Sequence, residues 1–314
     1  MKTVKNNVTM NLQHKLDLAI RDKEGKCYGE GYLVAKSKSV YDRYMSNEGW
    51  ERYLAEMSED HRIQYKNGDG GELKEGNHPP KMACYGSSSR IIFTLLKDIP
   101  DIKFEYPLKT HVYRGCHPAN LDGYLCADNA DIFVEAKCRE IYTEHGKVKA
   151  SREYCKVYEY ISDNHKNFSF DKKDVIDKNA NIDESVYNYS FFYNNEPIIH
   201  FDIKQLISHF LGIAAGVLES RVKDSIRFVY FIYNPIELQN ESLSNIYNKT
   251  IAEIDKIRVS ELFKTIFEYQ KHARNIEKEA PQFEFVMADQ HNIIDYFQNE
   301  DSIRLRPALR DGCQ

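Results

Sequence analysis

The sequence predicts an α/β sandwich, a mixed sheet of at least four strands with helices packed on it. Three observations carry that expectation. The middle of the chain reads helix, strand, strand, strand, helix, strand in order. The run "SIRFVYFIYNP" (225–235) is apolar almost throughout, as in a strand covered on both faces. Just before it, "HFDIKQLISHFLGIAAGVLE" (200–219) is a helix apolar enough to lie against a sheet. A chain of 314 residues, 42% hydrophobic and 29% charged, can bury a core of that size.

Taken in order, residues 8–62 mix charged and apolar residues at helical spacing, and "YKNGDGGELKEGNHPP" (65–80) closes that region as a Gly- and Pro-rich loop. We therefore divide the chain into a helical N-terminal extension packed on the core, 1–80, and an α/β domain, 81–314. "SSSRIIFTLLKDI" (87–99) is a helix opened by a serine cap. "DIKFEYPLKTHVY" (101–113) alternates and carries aromatics, so it is a strand, with Pro107 placing it at an edge or a bulge. "ANLDGYLCA" (119–127) and "DIFVEAKCREIY" (131–142) are two more strands, joined by the turn residues "DNA" (128–130) into an antiparallel hairpin. A basic helix is expected over 144–162 and an insertion or flap over 163–197. The helix at 200–219 and the strand at 225–235 follow. A charged helical segment (240–278) and a short strand "FEFVMA" (283–288) complete the chain.

Composition narrows the function. A net charge of -5 argues against a wholly basic nucleic-acid coat, but leaves room for a local basic patch. Seven cysteines without a CxxC pair argue against a disulfide framework and for a reducing cytoplasm. The spacing of Cys116, Cys126, Cys138 and Cys155 fits no tight iron–sulfur pattern, and buried thiols account for them better. The longest apolar stretch, "FLGIAAGVL" (210–218), is too short to span a bilayer. GxxxxGK[ST], GxGxxG, HExxH and GxSxG motifs are all missing from the sequence.

The chemistry concentrates in "LDGYLCADNADIFVEAKCRE" (121–140). Strand alternation puts Asp131, Phe133, Glu135, Lys137 and Arg139 on one face, and Ile132, Val134, Ala136 and Cys138 on the other, which is expected to be the buried one. If the hairpin sets Asp122 beside Glu135, two carboxylates repel unless a cation lies between them. Oxygen-only ligands of this kind suit Mg²⁺ or Mn²⁺. Lys137, two residues on, could orient or deprotonate a water and offset phosphate charge. Gly123 is expected to clear space beside Asp122 for a substrate backbone. Taken alone, an ExK triplet is weak, since most charged pairs two apart on a strand are simply the solvated face of a sheet.

With the Asp, the turn and the order of elements, residues 87–235 resemble the PD-(D/E)xK nuclease superfamily, the restriction-endonuclease-like proteins. That resemblance implies an α-β-β-β-α-β core with helices flanking a mixed sheet. It implies Asp122 and Glu135 as metal ligands and Lys137 as the residue serving the attacking water. Leu121 stands where the family's name has Pro. Some members add a further acid, for which Glu105 fits the strand position better than Glu72, and a surface acid explains either one equally well. A Gln on the following helix is matched by Gln205, with His209 one turn later. "HPPKMACYGSSSRIIF" (78–93) resembles the entry to the first core helix of bacterial members, where Ser87, Ser88 and Ser89 could meet a phosphate or simply cap the helix.

Two basic groups could grip a nucleic-acid backbone, Lys147, Lys149, Arg152 and Lys156 on one hand and Lys264, Lys271 and Arg274 on the other; solvated helix faces would look the same. The sequence thus predicts a Mg²⁺-dependent deoxyribonuclease, with RNA an open alternative substrate, no membrane partner and a homodimer as one assembly. The competing expectation is a nucleic-acid-binding module that keeps the nuclease fold without cleaving.

Overall fold

The computed structural model describes residues 12–24, 33–34, 40–41, 43–68, 71–73, 79–112, 118–174 and 186–298. Helix α1 covers 12–24, and the two-residue strands β1 (Leu33–Val34) and β2 (Val40–Tyr41) pair antiparallel. Helices α2 (Asn47–Ala55) and α3 (Glu59–Asn67) each start at a serine whose hydroxyl accepts from a backbone N–H one turn on, Ser46 from Gly49 and Ser58 from His61. The first residues of the expected loop at 65–80 are thus the last turn of α3. Tyr65 of α3 stacks on Phe104 with ring centroids 5.5 Å apart, and Gln64 Oε1 accepts from the Phe104 N–H at 2.6 Å.

Helix α4 (Ser88–Leu96) is capped by Ser87, and strands β3 (Lys103–Leu108), β4 (Ala119–Cys126) and β5 (Asp131–Lys137) follow as an antiparallel meander. The chain then departs from the expected basic helix. Residues 148–151 form strand β6 (Val148–Ser151), and helix α5 begins only at Tyr154 (Tyr154–Asn164). The insertion is likewise built: β7 (Phe168–Asp174), β8 (Val186–Tyr193) and the two-residue β9 (Glu196–Pro197) join β6 in a second antiparallel sheet with the order β6-β8-β7. One face of this sheet carries Tyr187, Tyr189, Phe191, Phe168 and Phe170 and packs on α5, where Tyr158 meets Tyr189 at 4.8 Å and Phe191 at 4.9 Å.

Helix α6 (Ile203–Leu218) is capped by Asp202 and is apolar all round because it is buried all round, against the main sheet on one side and the C-terminal helices on the other. Strand β10 (Ser225–Ile232) returns parallel to β5. The charged segment 240–278 is two helices, α7 (Glu241–Lys256) and α8 (Val259–Arg274), broken where Ile257 is buried and Arg258 takes a left-handed backbone at φ 52°. Strand β11 (Gln282–Ala288) adds parallel to β10, and the short helix α9 (Asp295–Gln298) ends the described chain.

The main sheet therefore has five strands in the order β11-β10-β5-β4-β3, mixed in direction, with β5 in the middle. All seven residues of β5 are buried, so the expectation of one wet face is corrected: Glu135 and Lys137 lie under helix α6. Gly123 is corrected too. It faces away from Asp122, and a Cβ there would sit 3.2 Å from the Val134 Cβ, so its missing side chain makes room for the neighbouring strand. Asp131 is a structural acceptor, taking the Tyr124 hydroxyl at 3.0 Å and the Lys223 N–H at 2.7 Å.

Candidate active site

The register of the main sheet gathers the acids. Gly123 pairs with Val134 and Tyr124 with Phe133, and one step further along the same register sets Asp122 across from Glu135. On the other side, Phe104 pairs with Gly123 and Tyr106 with Leu121, which sets Glu105 across from Asp122. In β10, Tyr230 pairs with Glu135. Glu105, Asp122, Glu135 and Tyr230 form one row across four strands, with side chains on a common face. Glu105 holds that place with a left-handed backbone, φ 50°, which costs roughly 1–3 kcal/mol in a non-glycine residue.

Around Glu135 the contacts are short and dry. It is 1% exposed, with Lys137 Nζ 2.5 Å from Oε1 and His209 Nε2 2.9 Å from Oε2. Lys137, 6% exposed, also donates to Gln205 Oε1 at 2.8 Å. Gln205 and His209 reach the strand together because four residues on a helix bring side chains to the same face. Asp122 is half-buried, and its Oδ2 accepts the backbone N–H of Ala136 at 2.7 Å.

This environment drives the two facing carboxyls apart. Burial opposes ionisation of Glu135, but His209 and Lys137 outweigh it and bring its pKa down to about 2. Burial, and then the Glu135 charge, push Asp122 well above the ordinary carboxyl range, with Lys137 only partly offsetting them. The same surroundings thus favour the charged form of Glu135 and oppose it in Asp122, an imbalance that a cation between the two carboxyls would relieve. For Lys137, burial works against the ammonium, but Glu135 and Tyr230 overcome it and hold the pKa well above the usual lysine value. In this setting Lys137 is a charged donor beside Glu135 and Gln205, placed to orient a water and to offset phosphate charge.

These residues open into a cleft of about 710 Å³ between the main sheet, α6 and the edge of the second sheet. Six carboxylates line it (Glu72, Glu105, Asp122, Glu135, Glu140 and Asp202) against three lysines (Lys137, Lys149 and Lys204). Glu72 is 5% exposed, and its Oε2 has no hydrogen-bond partner among the described residues. Ser88 and Ser89 reach the cleft as well, while Ser87 is engaged as the cap of α4. Ser88 donates to Glu140 Oε1 at 3.2 Å, and Glu140 Oε2 accepts the Cys138 N–H at 2.9 Å.

Of the expected residues, Asp122, Glu135, Lys137 and Gln205 come together, and Glu105 lines the same cleft. The set Asp122, Glu135 and Glu105 is not a closed metal cage: among the described residues, no group of three or more His, Cys, Asp or Glu is arranged to hold an ion by itself. Cys84, Cys126, Cys138 and Cys155 are free thiols, and Cys116 lies outside the described residues. The basic groups divide. Lys149 lines the cleft, whereas Lys271 pairs with Glu268 at 3.1 Å and Arg274 with Glu219 at 2.6 Å. Sequence reasoning missed Tyr230, Glu140 and Lys204. Tyr230 alternates correctly with Phe228 and Ile232, but only the β5–β10 register reveals its partner.

No protein-family model, characterised protein or solved structure matches the chain. Among the described residues, no helix is long and apolar enough to cross a membrane.

Proposed function

We propose that the protein is a metal-dependent nuclease of the restriction-endonuclease-like, PD-(D/E)xK type, hydrolysing phosphodiester bonds in DNA. The observation that carries this reading is the facing pair Asp122 and Glu135 on adjacent strands, with Lys137 held beside them by Gln205. The order α4, β3, β4, β5, α6, β10 supports it, with the second sheet inserted between β5 and α6.

A cleft with six carboxylates against three lysines repels a phosphate backbone unless a cation is recruited. Mg²⁺ or Mn²⁺ fits the donors: hard oxygens, two carboxylates, and room for water and substrate oxygens to complete the coordination. Asp122 and Glu135 would hold the ion, and the orphaned Glu72 Oε2 belongs to the same cleft. When bound, the ion supplies polarisation of the phosphate and charge to match the transition state. The chain's own groups do the rest. Lys137 orients a water and offsets phosphate charge, Gln205 accepts from Lys137, and His209 lies 2.9 Å from the second oxygen of Glu135.

The test is cleavage of plasmid and single-stranded DNA with Mg²⁺ or Mn²⁺. Wild type is expected to cleave, and Asp122→Asn and Lys137→Ala to abolish cleavage, with Asp122→Asn keeping its melting temperature. The lack of a preformed ligand cage among the described residues favours one other reading, a module that binds nucleic acid without cutting it. Salt-sensitive DNA binding with no cleavage under either ion would establish that module, and absence of binding would remove both.

A further inference from the structure

The second sheet has one face packed on α5 and one face left open. Its register defines the open face: Lys149 pairs with Asn188, and Asn188 with Lys173, so these three form a row across β6, β8 and β7. Adjacent strands lie about 4.8 Å apart, which puts the two lysines on the order of 10 Å from each other. Ser151, Ser190 and Ser169 share this face, and Asp171 is its one carboxylate among the described strand residues. Lys149 and Lys173 are both exposed, and neither is in an ion pair with a described residue. Lys172, by contrast, points to the α5 side, where it lies over Tyr187 and donates to Cys155.

Lys149 belongs both to this row and to the acidic cleft, so the open face continues the cleft outward. Exposed lysines with a flat, small-residue floor between them match a polyanionic strand, whose phosphates recur every 3.4 Å or so along the helix axis. Among the described strand residues this face carries one aromatic side chain, the half-buried Phe192 opposite Ser169, and a single ring makes no row on which successive bases could stack, which favours backbone contact over base contact.

We propose that the open face of the second sheet is a DNA-backbone track, in which Lys149, Asn188 and Lys173 hold phosphates of the strand whose neighbouring phosphate enters the cleft. The track rests on the nuclease reading of the cleft, and its residues come from a stretch whose sequence suggests a helix and a flap. Lys149 and Lys173 act here as binding residues, with no part in bond breaking.

The probe is a fluorescein-labelled DNA duplex of about 20 base pairs, titrated in EDTA between about 50 and 200 mM salt, with cleavage in Mg²⁺ measured separately. The double variant Lys149→Gln, Lys173→Gln should flatten the slope of log binding constant against log salt by about 1.8, near 0.9 for each phosphate no longer neutralised. Lys15→Gln, on the exposed face of α1, should leave the slope unchanged. Three results would overturn the track: a double-variant slope equal to wild type, an equal flattening by Lys15→Gln, or no binding of the duplex by wild type. Mg²⁺-dependent cleavage alongside an unchanged slope would sink the track and keep the nuclease. A lysine-dependent slope without cleavage would keep the track and sink the nuclease.

Discussion

Replacing Lys137 by Met keeps the length of the side chain and removes one ammonium from the driest part of the site. In the wild type that ammonium lies 2.5 Å from Glu135 Oε1 and 2.8 Å from Gln205 Oε1. Glu135 stays charged and 1% exposed, with His209 2.9 Å from its other oxygen. Removing one partner of a buried pair costs about 3–5 kcal/mol, because the remaining charge is stranded. For a chain of 314 residues, an unfolding entropy of about 2.1 cal/mol/K per residue gives roughly 0.66 kcal/mol/K. The melting temperature of Lys137→Met should therefore fall by about 5–8 °C in calorimetry. Adding Glu135→Gln should recover most of that drop, since a neutral amide is far cheaper to bury than an uncompensated carboxylate. A single-variant drop below about 2 °C, or a double variant no better than the single, would refute the argument that the pair is a dry, mutually dependent unit.

Three further outcomes follow from other contacts. Asp17 is fully buried beside Arg139, and burial raises its pKa from 3.8 to about 6 despite the opposing pull of Arg139 and Arg43. A carboxyl raised in the folded state costs stability as pH climbs from about 4 to 6, so Asp17→Asn should abolish a component of about 3 kcal/mol in that window, read by denaturation at each pH. Gly212→Ala should destabilise by about 1–3 kcal/mol in urea despite the better helix propensity of Ala, because its Cβ would meet the Leu108 Cβ at 2.6 Å. Mg²⁺ at about ten times its dissociation constant should raise wild-type stability by about 1.4 kcal/mol, near 2 °C, and Asp122→Asn should abolish that response in a thermal-shift assay.

The Asp122–Glu135 meeting can be read from the sequence because it is local. A short turn at 128–130 between two alternating strands leaves few registers, and the structure uses one that aligns the two acids. The features hidden from the sequence are nonlocal or carry no chemical marker. Residues 148–151 have no strand signature of their own, and become β6 only because β8, some forty residues on, supplies hydrogen bonds. The break between α7 and α8 falls at Arg258 without Gly or Pro, so a continuous helical pattern hides it. The charges of Glu135 and Lys137 suggest a wet face, whereas Gln205 and His209, about seventy residues later, satisfy them under a helix. Gln205 is reached from the sequence only through the family resemblance, and only the sheet register brings Tyr230 into the site.

The bond from the Ala136 N–H to Asp122 Oδ2 gives the cleft a natural spectroscopic reporter. Its neighbours in the central strand direct their amide protons to backbone carbonyls, which respond little to what enters the cleft. Ala136 donates its proton to a carboxyl that must change partners whenever a cation or a phosphate arrives. One amide resonance, set in a strand buried along its whole length, should therefore move with occupancy of the cleft while those of the other β5 residues stay still.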